Sequence, residues 1–129
     1  MRGAQVSVVS IPVADQERAK KFYVEVLGFD VVVDNPFGEG MRWVMLRPPG
    51  GGAAITLVTW FPEMRPGSVQ GTVLSVASLE EALAELGRRG VEMEPALIQE
   101  APWARWVTID DPDGNGWVVQ EDRAFAEDA

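Results

Sequence analysis

The sequence predicts an α+β fold made of two consecutive β-α-β-β-β units. Three observations carry that prediction. Short β-branched runs bounded by Gly and Pro alternate with two stretches of helical apolar spacing. Each stretch opens on a capping residue, Asp15 or Ser78. The corners leading into them, Val13-Ala14-Asp15 and Val76-Ala77-Ser78, stand 63 residues apart (78 − 15). The 129 residues, 47% of them hydrophobic, suit one domain, here 1–129, with units at about 5–60 and 71–121 and a linker at 61–70.

Val6 to Val13 alternates loosely and is rich in β-branched residues, which predicts the first strand. From Asp15 onward, Ala19, Phe22, Tyr23, Val26 and Leu27 recur at helical spacing until Gly28 stops the helix. Phe29 to Asp34 is the next strand, and Asn35-Pro36-Phe37-Gly38 reads as a turn. Met41 to Arg47 and Ala53 to Trp60 follow as strands around the Pro48-Pro49-Gly50-Gly51-Gly52 reversal. Beyond the proline- and glycine-bearing linker the order repeats. Gly71 to Ala77 is a strand, and Ser78-Leu79-Glu80-Glu81 is a capping box for a helix that Gly90 ends. Val91 to about Gln99, Arg105 to Asp110 and Gly116 to Glu121 are predicted as the last three strands. A unit this small buries one sheet face under one helix, so the other face needs cover from its copy, a partner chain or a ligand.

Composition removes whole classes of chemistry. The chain has neither cysteine nor histidine, which excludes disulfides, thiol nucleophiles, cysteine zinc sites and any triad that relies on an imidazole. A net charge of −9 repels phosphate backbones and argues against nucleic acid, while favouring solubility and the capture of cationic small molecules. No apolar run reaches the ~20 residues of a membrane span, and the N-terminus lacks a signal-peptide core, so the expected location is the cytoplasm.

The stretches Ile11-Pro12-Val13-Ala14-Asp15, Phe22-Tyr23 with Val26-Leu27-Gly28-Phe29, and Asp111-Pro112-Asp113-Gly114-Asn115 resemble the vicinal-oxygen-chelate superfamily. That group includes glyoxalase I, extradiol dioxygenases, and fosfomycin- and bleomycin-resistance proteins. The resemblance spans residues 5 to 121 and implies the tandem βαβββ fold and a homodimer. Metal enzymes of the superfamily place ligands on the first and last strand of each unit. Carried over, those positions are Val8, Thr56, Gly71 and Val118, and only Thr56 has a donor atom. The resemblance therefore implies a cleft with no metal and no cofactor, lined by these residues and by Ser10.

The aromatic residues carry the ligand reading. Pro102-Trp103-Ala104-Arg105 resembles a stretch of bleomycin-resistance proteins in which the matching tryptophan stacks on the planar part of the drug. Phe37, after the second strand, matches a phenylalanine that contributes there. Trp60 shares the strand face of Thr56, and Trp43 joins them if the register of its strand allows. The other reading of Trp103 and Phe37 is packing at a loop edge or dimer interface. Trp117, Phe22 and Tyr23 read as core by periodicity. Asp34, Glu39 and Glu100 line a cleft mouth or are plain solvated surface, and Arg42 and Arg105 bind a carboxylate or pair with surface acids. Asp111-x-Asp113-x-Asn115-Gly116 also fits a calcium loop, but the flanking strands and Pro112 favour a hairpin turn.

The expected function is metal-free binding of a small planar aromatic ligand, with a cationic one favoured by the acidic surface. Sequestration of an antibiotic in a dimer cleft is the concrete form, with no catalytic residue assigned. The alternative is a lyase or isomerase of the same superfamily using carboxylates such as Asp34 or Glu121. A third reading is a regulatory module whose cleft holds another chain.

Overall fold

Two four-stranded sheets form, one from each half of the sequence. In this computed structural model, which describes residues 1–94 and 97–123, the first half gives β1 (Val8–Pro12), α1 (Gln16–Glu25), β2 (Asp30–Pro36), β3 (Arg42–Arg47) and β4 (Ala54–Val58). The second gives β5 (Thr72–Ser75), α2 (Leu79–Arg88), β6 (Gln99–Ala101), β7 (Ala104–Asp110) and β8 (Gly116–Asp122). Each half is the α+β arrangement βαβββ. The sheet orders are β1-β4-β3-β2 and β5-β8-β7-β6, with the outer pair parallel in each (β1 with β4, β5 with β8) and the remaining pairs antiparallel. By contacts the described residues divide into a first unit of 1–69 with 111–115, and a second of 70–94, 97–110 and 116–123.

The helices begin where the sequence signals them. Asp15 accepts the Arg18 amide at 3.0 Å, and Ser78 accepts the Glu81 amide at 3.2 Å, each satisfying an orphan donor of the first turn. Gly28 and Gly90 follow the helices with φ of 74° and 97°, a left-handed geometry that a side chain resists. In the first unit, α1 covers the sheet face that carries Ile11, Val44, Leu46, Ile55 and Leu57, all buried. In the second, α2 lies on the face of Val107, Ile109, Trp117 and Val119, also buried. Trp117 is core as its alternation predicts.

Two expectations need correcting. Asn35 and Pro36 belong to β2, paired with Trp43 and Arg42, because the edge of a sheet tolerates a residue that cannot donate. Among the described residues of the strand expected from Val91 to Gln99, strand pairing starts only at Gln99. The Val91 amide closes the helix end onto Leu86, and the Leu97 amide closes a turn onto Glu94, so neither is left for a ladder. Pro95 and Ala96 lie outside the described residues.

Between β7 and β8 the chain makes a hairpin turn. The buried Asp111 carboxylate accepts the amides of Asp113 and Asn115 (both 2.9 Å), the Asn115 side chain (2.8 Å) and the Tyr23 hydroxyl (2.7 Å). Asn115 also donates to the Pro12 carbonyl at 2.8 Å. The calcium-like pattern is thus an Asx-type turn whose carboxylate is spent on internal donors.

Candidate functional site

In the first unit, registry decides which side chains look away from α1. Thr56 is aligned with Ser10 on β1 and with Met45 on β3, and Met45 with Val33 on β2. Successive residues alternate faces, so Val8, Ser10, Thr56, Met45, Trp43 and Asn35 share the open face. Ser10, rather than Val8, therefore stands beside Thr56. Thr56 is 2% exposed, and its Oγ1 has no hydrogen-bond partner.

At one end of that face four aromatic rings meet. Trp43 and Trp60 stack with centroids 6.2 Å apart and planes at 28°. Phe37 meets both edge-on, 5.3 Å from Trp60 and 5.8 Å from Trp43, and Phe61 lies 6.1 Å from Trp60. Such offset and edge-to-face pairs hold one another in place. The tryptophans are half-buried, while Phe37 and Phe61 are 42% and 45% exposed, so the group presents ring surface to solvent. Phe37, Trp43 and Trp60, each expected to line a ligand cleft, come together, and the registry of β3 puts Trp43 on the face of Thr56. Phe61, placed in the linker by its neighbours Pro62 and Pro66, was not foreseen.

The second unit presents a plainer open face. Val118 is aligned with Val73 on β5 and Thr108 on β7, and Trp106 stands two residues from Thr108 on the same side. Trp106 was missed, although it follows Trp43 at the same 63-residue offset that relates the two helix caps. Gly71 lies just ahead of β5 and is exposed, so Val73 takes the place beside Val118. Trp103 is 53% exposed on the turn between β6 and β7, apart from the first unit's ring group in sequence and in unit.

The acids behave differently from the cleft-mouth expectation. Asp34 is aligned with Val44, which places it on the helix side, where Arg42 bonds it at 2.7 and 2.8 Å and Lys20 at 2.6 Å. The Arg42 hydrogen bonds first, and the Lys20 bond second, hold its carboxyl well below the usual carboxylate range. Glu121 sits likewise between Arg105 and the Leu79 amide (2.7 Å), and these two donors lower its pKa in that order. Each carboxylate is bonded by these partners in its ionised form, which makes it a weaker base than a free one. Glu100 pairs with Arg123 at 2.7 Å and Glu39 is exposed.

The profile of the Glyoxalase/Bleomycin resistance protein/Dioxygenase superfamily matches residues 5–119. The chain belongs to this superfamily. It is similar to TnmS3, an antibiotic binding protein from Streptomyces sp. CB03234, with 40% identity over 95% of this chain and 99% of that one and a TM-score of 0.84. It is also similar to a superfamily member from Sphaerobacter thermophilus DSM 20745, at 35% identity, covering 94% and 99% of the two chains, with a TM-score of 0.80. The uncharacterized protein YetH of Bacillus subtilis (strain 168) is 32% identical over 122 residues, 91% of this chain and 98% of YetH.

The resemblance carries the metal positions of superfamily enzymes onto Val8, Thr56, Gly71 and Val118, and registry puts Ser10 and Val73 beside Thr56 and Val118. Together these six residues offer two neutral hydroxyls, and no group of three or more His, Cys, Asp or Glu that could hold a metal occurs among the described residues. Catalytic transition-metal sites take about three protein ligands, and neutral hydroxyls are poor ones, so this donor set does not fit such a site. No helix among the described residues is long and apolar enough to cross a membrane.

Proposed function

We propose that the protein binds a small planar aromatic molecule of antibiotic type without a metal or cofactor, and sequesters it rather than transforming it. One observation carries the reading: Phe37, Trp43 and Trp60 converge with centroids 5.3–6.2 Å apart on an open sheet face. Rings already ordered by one another cover the face of a flat ligand at little entropic cost. Similarity to an antibiotic binding protein supports the same reading. The net charge of −9 favours a cationic ligand over an anionic one. In this reading Val8 and Ser10 line the first unit's face beside the rings, and the protein acts in the cytoplasm as a homodimer.

The test is a titration with proflavine, a planar cation, and with 1-hydroxypyrene, a planar neutral compound, followed by tryptophan fluorescence. Saturable quenching by at least one is expected, and a flat response to both overturns the proposal. Elemental analysis should find no stoichiometric Zn, Ni, Fe or Mn. Light scattering should find a dimer, whose interface would bury well above ~1,000 Å².

A further inference from the structure

The centre of the first unit's open face holds a hydroxyl that the protein itself does not use. Thr56 Oγ1 is buried and without a hydrogen-bond partner, although Thr56 lies in the middle of the sheet between β1 and β3. A buried hydroxyl left unpaired gives up its bonds to water and gains nothing in exchange, whereas valine would fill much the same space without that loss. Native folds keep few such groups, and each calls for an explanation.

The surroundings suggest the use. Ser10 and Met45 flank Thr56 on the same face and are only half-buried, and the flexible methionine can move aside for a ligand. Trp43 stands two residues along β3 from Met45, so the aromatic end begins roughly 7 Å along the sheet from the Met45–Thr56 pair at about 3.3 Å per residue. A fused system of three or four rings covers that span. The corresponding place in the second unit is Val118, which has no polar atom to offer.

Resting on the stacking proposal above, we infer that the ligand is a planar polycycle bearing an oxygen on its ring edge, a phenolic hydroxyl or a ring carbonyl, and that Thr56 Oγ1 hydrogen-bonds that oxygen. A threonine hydroxyl donates to a carbonyl and accepts from a phenol, so both oxygen types satisfy it. The ring system lies against Trp43 and Trp60, and the oxygen fixes its orientation toward β1. Specificity then comes from the floor of the face and affinity from the aromatic end, because a site built to bond an oxygen discriminates against the analogue that lacks it.

The experiment compares 1-hydroxypyrene with pyrene on the parent and on Thr56→Val, Thr56→Ser and Trp60→Ala, alongside thermal unfolding. Thr56→Val should weaken 1-hydroxypyrene by about three- to tenfold, leave pyrene unchanged, and leave the thermal midpoint unchanged or raised. Thr56→Ser should keep the preference for the hydroxylated probe. If Thr56→Val binds both probes as the parent does, weakens both equally, or lowers the thermal midpoint, the anchor is wrong. Should Trp60→Ala still weaken both probes in that case, the stacking reading survives alone. If neither probe binds the parent, the stacking reading fails and takes the anchor with it.

Discussion

The two units share what holds a helix on a sheet and differ in what they show on the other side. In the first, Arg42 reaches from β3 to Glu17 on α1 at 2.8 Å; in the second, Arg105 reaches from β7 to Glu80 on α2. Glu80 and Arg105 follow Glu17 and Arg42 at the same offset as the helix caps, so the strut is part of the repeat. On the open faces Trp43 and Trp106 correspond, but registry extended from the paired strands puts Ala101 and Asp122 where the first unit has Phe37 and Trp60. Val118 likewise replaces Thr56. The helix side answers to packing, which any such unit needs. On the other side the first unit carries a group of rings and a buried hydroxyl, where the second has Ala101, Asp122 and Val118.

That contrast makes stability a property of one face and binding a property of the other. Trp117→Ala removes a large ring that is 3% exposed under α2, and should cost about 3–5 kcal/mol in denaturant unfolding. Trp106→Ala, on the opposite face of the same sheet, should cost far less. A similar loss for both would erase the distinction between the faces.

A polar latch also separates the units. The Tyr23 hydroxyl bonds the buried Asp111 carboxylate, whereas the matching place on α2 is Leu86, a buried hydrocarbon. Tyr23→Phe should destabilise by about 1.5–3 kcal/mol, the range for a hydrogen bond to a charged group. An unfolding midpoint equal to the parent's would show that Asp111 is satisfied without it.

The smallest effect concerns pH. Asp34 titrates lower in the folded protein than in the unfolded chain because Arg42 and then Lys20 bond its ionised form. The unfolded state therefore binds more protons, and the stabilisation is complete above the unfolded aspartate pKa of about 3.9. It is lost as the pH falls below that value toward the folded one. Asp34→Asn should destabilise slightly at neutral pH and flatten the acid limb of the stability curve. An acid limb as steep as the parent's would mean that other carboxylates, such as Glu121 with its Arg105 partner, carry it.

The skeleton was legible because caps, stops and periodicity are local. Asp15, Ser78, Gly28 and Gly90 act through their own backbone neighbours, and β7 and β8 carry strong alternation. The site was legible only in part, because which face a side chain takes depends on pairing between distant strands. Asp34 shows this most clearly. Counting by twos from Val31, which is aligned with the helix-side Leu46, puts Asp34 on the open face; the bulge between Val31 and Val33 turns it to the helix side. Trp43 needed the β3–β4 registry, and Phe61 sits beyond the strand altogether. Trp106, by contrast, was within reach of the repeat itself.

The central claim is that ligand recognition belongs to the aromatic end of the first unit. Titration of 1-hydroxypyrene into the parent, Trp60→Ala and Trp106→Ala, with each fold checked by thermal unfolding, tests it most directly. Loss of the Trp60 ring should weaken binding by about 1–3 kcal/mol, roughly five- to 150-fold, while loss of Trp106 should cost less than that. Binding by Trp60→Ala as tight as the parent's, or an equal loss in Trp106→Ala, would contradict the account.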